Sequence, residues 1–224
     1  MNMRILLTND DGIESPKLKY TKEILSHYGD VYVVAPKFEQ SAKSMSLSIG
    51  SFEFEQIDEK TYAIHGTPVD CVNFAYAGLD VRPDLVVSGT NNGYNLGIDT
   101  RYSGTVGAAL QAQYHGFPSI ALSADRRGNR ILEEELKRTL DYIFEEDLIG
   151  TDHTLNVNFP REKFEHSKGI LMTDIHHHVF QYFPKIEGNR FHPNRTYIHE
   201  NDLPEGTDTW AYAYGYTSIT KIKL

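Results

Sequence analysis

Short apolar runs that end in small polar residues punctuate the first half of the chain. Arg4–Thr8, Val31–Ala35, Asp84–Ser88 and Ser119–Ser123 are rich in Leu, Ile, Val and Ala with no regular alternation. That pattern belongs to strands covered on both faces, as in a parallel sheet. Between them, about Pro16–Tyr28, Pro68–Leu79 and Thr105–His115 read as helices. Gly29 and Gly116 stand where C-caps would, and Pro68 follows Thr67 as a first helical residue follows an N-cap. Strand alternating with helix predicts an α/β sheet with right-handed crossovers.

One interruption breaks the alternation. From Met45 to His65, Phe52, Phe54 and Ile57 precede Asp58-Glu59-Lys60, and Tyr62 and Ile64 follow. This predicts a β-hairpin inserted after the second strand. Ile131–Glu146 has apolar residues at 132, 136, 140 and 143, the period of an amphipathic helix. Leu155–Phe159 and Gly169–Met172 read as strands, and the tyrosine-rich Trp210–Ile222 alternates like a third. Thr173–Gly206 has no clear period and reads as long loops with room for short strands. The expectation is one compact unit without repeats, ending in a β-rich elaboration.

Composition narrows the partners. With 224 residues, 40% apolar, the chain can bury a substantial core. Its net charge of −9 gives no general attraction to polyanions, so duplex nucleic acid and anionic membranes are not expected partners. A small anionic substrate would need local help, from a metal or a helix end. Cys71, the one cysteine, has no internal disulfide partner, which fits a reducing compartment. The first apolar run is too short for a signal-peptide core or a membrane span, so the expected location is the cytoplasm.

Four constellations carry candidate chemistry. Asn9-Asp10-Asp11-Gly12 follows the first strand. Adjacent carboxylates repel each other and a hard divalent cation relieves the repulsion, although a polar turn with a capping aspartate fits as well. Pro36–Ser48, after the second strand, contains Gln40-Ser41-Ala42, whose hydroxyl is a candidate metal or anion contact in what is otherwise a solvated loop. Ser88–Gly97 holds three glycines with Asn91, Asn92 and Asn95. It is neither a dinucleotide fingerprint nor a P-loop, and it permits close backbone approach. Tyr102–Ala109 enters a helix, where Ser103 or Thr105 serves either as an N-cap or as part of an anion site. His176-His177-His178 suggests a metal cluster, but neighbouring strand residues face opposite ways. Tyr212, Tyr214 and Tyr216 read as cover for a sheet face or an interface.

In sequence order, Met3–Ile13, Val33–Pro36 with Gln40-Ser41, Gly66–Val72, Val87–Gly97, Tyr102–Val106 and Gly116–Ala121 together resemble the SurE (survival protein E) family of metal-dependent 5′/3′-nucleotidases. The resemblance spans residues 3 to 123. It implies a Rossmann-like, mostly parallel sheet flanked by helices, in one SurE-like domain over 1–224. Within it, 1–125 would form the core with the metal site, and 126–224 a helix plus the β-rich elaboration. It also implies one Mg²⁺ or Mn²⁺ per subunit held by Asp10, Asp11, Ser41 and Asn91, with Asn95, Ser103, Gly104 and Thr105 near the substrate phosphate. Assembly as a homodimer or homotetramer is implied too. Two motifs depart from the family's usual form: Ser15-Pro16-Lys17 stands for Ala-Pro-Gly, and Gln40-Ser41-Ala42 for Gln-Ser-Gly. Neither change removes a ligand.

The expected activity is hydrolysis of nucleoside 5′- or 3′-monophosphates, with Asp10 accepting the proton of the attacking water. Two rivals remain. One is a phosphatase with Asp10 as covalent nucleophile, and the other a nucleotide-binding regulator without turnover.

Overall fold

A computed structural model describes residues 3–177, 180–197 and 199–224. The chain runs β1 (Met3–Thr8), α1 (Pro16–Leu25), β2 (Gly29–Pro36), β3 (Phe54–Asp58), β4 (Thr61–Ile64), α2 (Pro68–Asn73), β5 (Leu85–Asn92), α3 (Gly104–Tyr114), β6 (Ser119–Ala124), α4 (Arg130–Glu145) and β7 (Thr154–Asn158). It continues through β8 (Ile170–Thr173), β9 (Phe180–Tyr182), β10 (Lys185–Glu187), β11 (Arg190–His192), β12 (Arg195–Tyr197), α5 (Asp208–Tyr214) and β13 (Thr217–Ile222). One nine-stranded sheet has the order β3-β4-β2-β1-β5-β6-β7-β13-β8. Neighbours from β4 to β7 are parallel, whereas β3 on β4 and β13 on β7 are antiparallel.

The unbroken apolar runs follow from cover on both faces. Ile5 and Leu7 of β1 join Val31, Val33 and Val87 under α1 and α4, while Leu6 faces the other way with Val34, Val86, Cys71 and Ala108 under α2 and α3. These side chains are at most 7% exposed. Each fully buried Val, Leu or Ile contributes about 1.5–3 kcal/mol, so the two covered faces of the sheet supply much of the stability. The amphipathic pattern over 131–146 gives α4, with Leu132, Leu136, Leu140 and Ile143 buried. The hairpin expected after the second strand is β3–β4, and β4 extends the sheet by pairing parallel to β2.

Two expectations fail locally. Gly29 does not cap α1, which ends at Leu25 with Ser26 as C-cap. Gly29 opens β2, and a Cβ there would lie 1.9 Å from the Met3 carbonyl oxygen, so the glycine serves strand approach. Gly116 (φ +81°) does follow the end of α3. Trp210–Tyr214 is helix rather than strand. Thr207 accepts a hydrogen bond from the Trp210 N–H, and Gly215 closes α5 in the left-handed conformation. Trp210 and Tyr214, one turn apart, pack ring to ring at 4.9 Å. These cap residues outweighed a short alternation.

The region without a period forms an arm of paired short strands, β9 with β12 and β10 with β11. Ile186 and Phe191 on it are 75% and 63% exposed. An exposed strand pair has no buried face to impose alternation, so its sequence carries little signal.

Candidate active site

The site lies beyond the C-terminal ends of β1, β5 and β6, where ligands bind in open α/β sheets. After β1, the Asn9 amide brackets the turn: Nδ2 donates to the Gly12 carbonyl at 2.9 Å, and the Gly12 N–H donates back to Oδ1 at 3.2 Å. Within this turn Asp10 is 4% exposed. Its Oδ1 accepts the Thr105 hydroxyl at 2.5 Å and its Oδ2 the Thr105 N–H at 3.3 Å. Gly104 permits this contact, since a Cβ there would sit 3.1–3.2 Å from the Asp10 side chain. Burial pushes the Asp10 pKa up to about 6, with the Thr105 hydroxyl opposing and Asp11 adding to the rise.

Asp11 Oδ2 accepts the Asn92 N–H at 2.8 Å. Burial raises its pKa also, against the Asn92 N–H and the Lys17 ammonium. Lys17 is itself buried: Nζ donates to Asn92 Oδ1 at 2.8 Å and to the Asp125 carbonyl, so it ties the end of β5 to the end of β6. Burial lowers its pKa, and the Asp11 and Asp125 charges oppose that.

The loop carrying Ser41 is fixed at both ends. The Gln40 N–H donates to the Asp10 carbonyl at 2.7 Å, and Ser44 donates through N–H and hydroxyl to the Tyr102 and Arg101 carbonyls. Gly107 lets this loop settle on α3, since a Cβ would meet the Ser44 carbonyl oxygen at 2.4 Å. Ser41 Oγ donates to Glu39 at 2.6 Å. Asn91 Nδ2 donates to the Gly93 carbonyl at 3.0 Å, so the amide oxygen is its atom for a cation. Asn95 is buried, with Nδ2 on Ser123 Oγ at 2.8 Å. Ser103 caps α3 by accepting the Val106 N–H at 3.1 Å.

Of the residues singled out from sequence, Asp10, Ser41, Asn91, Asn95 and Ser103 line one cleft of about 840 Å³. Asp11 packs on the β5 end, and Thr105, fully buried, supports Asp10 from beneath. Among the described residues no three His, Cys, Asp or Glu side chains gather, so a cation here would rest on two carboxylates and neutral oxygens. His176 is buried elsewhere, with Nδ1 2.9 Å from Thr209 Oγ1; His177 is exposed, and His178 lies outside the described residues.

Sequence reasoning missed three features. Lys17 was noted only as a departure from a motif. Asp125 follows β6 as Asp10 follows β1, a signal that went unused. The third is a cationic rim of Arg126, Arg127, Arg161, Lys163 and Arg195 lining the same cleft. The net charge of −9 concealed it, although the pair Arg126-Arg127 just past a strand was visible.

A buried carboxylate beside a second one, at the strand ends of a doubly covered parallel sheet and in a cleft lined by basic side chains, defines an α/β protein whose donor set suits a hard cation and whose cleft suits a small anion. The comparisons give the class its family. The family model for survival protein SurE matches residues 5–182. A protein named 5′-nucleotidase SurE from Aquifex aeolicus is 39% identical over 230 residues, covering 98% of this chain and 91% of its own. The 5′-nucleotidase SurE 1 of Thermus thermophilus is 38% identical, covering 99% and 92%. The crystal structure of the SurE protein from Aquifex aeolicus superposes with a TM-score of 0.85 at 37% identity, covering 98% of this chain and 93% of that one. The chain belongs to the SurE family.

Proposed function

We propose that this chain is a divalent-cation-dependent phosphomonoesterase that hydrolyses nucleoside 5′- or 3′-monophosphates to nucleoside and phosphate. The observation that carries this is the Asp10 carboxyl, almost fully buried beside Asp11 and in one cleft with Ser41 and Asn91. The relatives named 5′-nucleotidase support the same activity. The donor set fits a hard ion: carboxylate, hydroxyl and amide oxygens suit Mg²⁺ or Mn²⁺. Asp10, Asp11, Ser41 and Asn91 would hold one such ion per subunit, and when bound it supplies charge to polarise a phosphoryl oxygen and acidify water.

The remaining work falls to the chain. The Thr105 hydroxyl and N–H hold the Asp10 carboxylate in one orientation, from which a free lone pair accepts the proton of the attacking water. Ser103 uses a lone pair on Val106, so its O–H remains as a donor to the substrate phosphate. Gly104 and the start of α3 add the positive end of a helix dipole, and Asn95 lines the cleft beside them. The basic rim offsets the overall negative charge for an approaching dianion.

We assign the activity to the cytoplasm, in keeping with the free, buried Cys71; no described helix is long and apolar enough to cross a membrane. We take 1–224 as one domain, supported by a single sheet that draws strands from both halves. Assembly as a homodimer or homotetramer is tested by light scattering. The activity is tested by phosphate release from 5′- and 3′-AMP with Mg²⁺, with Mn²⁺ and after chelation. Asp11→Asn should abolish metal-dependent release. Full activity of that variant after exhaustive chelation would overturn the proposal.

A further inference from the structure

The cleft extends well beyond what a phosphate group fills. Its volume of about 840 Å³ falls in the range of sites for whole small molecules. Asp10, Asn91 and Ser103 are part of its lining. Tyr102, immediately before Ser103, lines it too and is 51% exposed. From the arm come Tyr182 of β9, 57% exposed, and Arg195 of β12, which are register partners across the strand pair.

Arg195 links the two sides. Its Nη1 lies 3.6 Å from Asp99 Oδ1, in the 3₁₀ turn Gly97–Arg101 that leads directly into Tyr102. The arm is thereby fastened to the segment carrying Tyr102, and two aromatic side chains reach one concave site from separate elements. A third, Tyr212, is different: the Arg161 guanidinium covers its ring at 4.7 Å and Tyr94 packs against it at 4.4 Å, which makes it wall. Large aromatic faces left in water within a cleft are the feature that planar bases use, because every base has a π-face.

We propose that Tyr102 and Tyr182 form a base-stacking subsite, through which the protein selects nucleotides over base-free phosphate monoesters without discriminating strongly among bases. The proposal rests on the phosphomonoesterase function above. A phosphate held at Ser103 leaves the attached nucleoside within reach of the adjacent Tyr102, and the arm supplies Tyr182. Recognition by a ring face rewards base area, so purines should gain more than pyrimidines.

The test compares Tyr102→Ala and Tyr182→Ala with the wild type on AMP, CMP and ribose 5-phosphate. Each alanine variant should raise KM for AMP about tenfold, raise it less for CMP, and leave ribose 5-phosphate within about twofold, with kcat unchanged. The corresponding Phe variants should restore wild-type KM, since they keep the ring. Equal losses on AMP and ribose 5-phosphate would mean the tyrosines shape the scaffold, and an unchanged KM for AMP would mean they do nothing; either overturns the subsite. If the wild type releases phosphate from no ester with Mg²⁺ or Mn²⁺, the phosphomonoesterase function is what fails. Calorimetric binding of AMP then decides the subsite, with about tenfold weaker binding by the alanine variants supporting it and equal affinity refuting it.

Discussion

Replacing Asp10 with Asn separates what the metal-free protein tolerates from what the loaded protein needs. The Asp10 carboxyl is 4% exposed, and burial raises its pKa from 3.8 to about 6. The folded state therefore holds the proton more tightly than the unfolded chain. Below pH 3.8 both states are protonated and the site carries no ionisation penalty. Between about pH 4 and 6 the penalty grows, and above pH 6 it is complete. At about 1.4 kcal/mol per pH unit it reaches about 3 kcal/mol. The Asn variant never ionises, and its Oδ1 still accepts the Thr105 hydroxyl. Its NH₂ faces the Thr105 N–H, however, and forfeits that 3.3 Å hydrogen bond, which costs about 1 kcal/mol. Asp10→Asn should therefore be about 2 kcal/mol more stable than the wild type at pH 7 in chelator. For a chain of this size that is about 4–8 °C in Tm. Near pH 4 the gap should close and reverse. Urea titrations at several pH values measure it directly. Mn²⁺ at about 100 times its Kd should then stabilise the wild type by about 2.7 kcal/mol, and the variant by far less. A variant less stable than the wild type at pH 7, or a gap that ignores pH, would refute a buried carboxylate whose hydrogen bonds from Thr105 only partly offset its burial.

Four further variants have defined expected outcomes. Gly107→Ala places a methyl 2.4 Å from the Ser44 carbonyl oxygen, so the Ser41 loop must lift; the Mn²⁺ concentration for half-maximal rate should rise at least about tenfold, as a lost ligand implies, and an unchanged value would show Ser41 to be no ligand. Thr105→Val removes the hydroxyl that holds the Asp10 pKa down, so the metal-free loss of stability should still begin near pH 4 but continue to higher pH and become larger, whereas Ser103→Ala should leave that window in place, lower stability by about 1 kcal/mol through the lost cap and cost about tenfold in kcat/KM. His177→Gln, on an exposed side chain away from the cleft, should leave the metal dependence of the rate unchanged, and a large change would show that the ion is misplaced.

How much was legible depended on whether a physical constraint was local. Burial on both faces forces apolar content, so β1, β2, β5 and β6 could be read from composition over a few residues. Gly-rich and Asn-rich turns beyond buried strands marked the site for the same reason. β5 extends past the apolar run: Thr90, Asn91 and Asn92 are polar, yet the strand continues through them, and Asn91 and Asn92 pair with Ser123 and Ala124 of β6 after an irregular register. Strand identity there comes from the partner, which local composition does not encode. The arm was illegible for a related reason: Tyr182 and Arg195 are exposed, and their pairing leaves no periodic trace.

The roles of the site residues were harder to read than their positions. Thr105 matched a motif associated with the substrate phosphate, and the fold gives its hydroxyl to Asp10. Ser103 was either a cap or an anion ligand, and one oxygen has the valence for both. Lys17 is the sharpest case, because a lysine one residue past a proline at a helix start reads as solvated surface. Its ammonium is instead buried between Asn92 and Asp125, close enough to Asp11 to oppose the rise in that residue's pKa. A cation that near the carboxylate pair limits the repulsion in the metal-free protein, and it ties the Asn92 end of β5 to Asp125 at the end of β6. Sequence places a charge; only the packing of β5 against β6 decides which neighbour that charge serves.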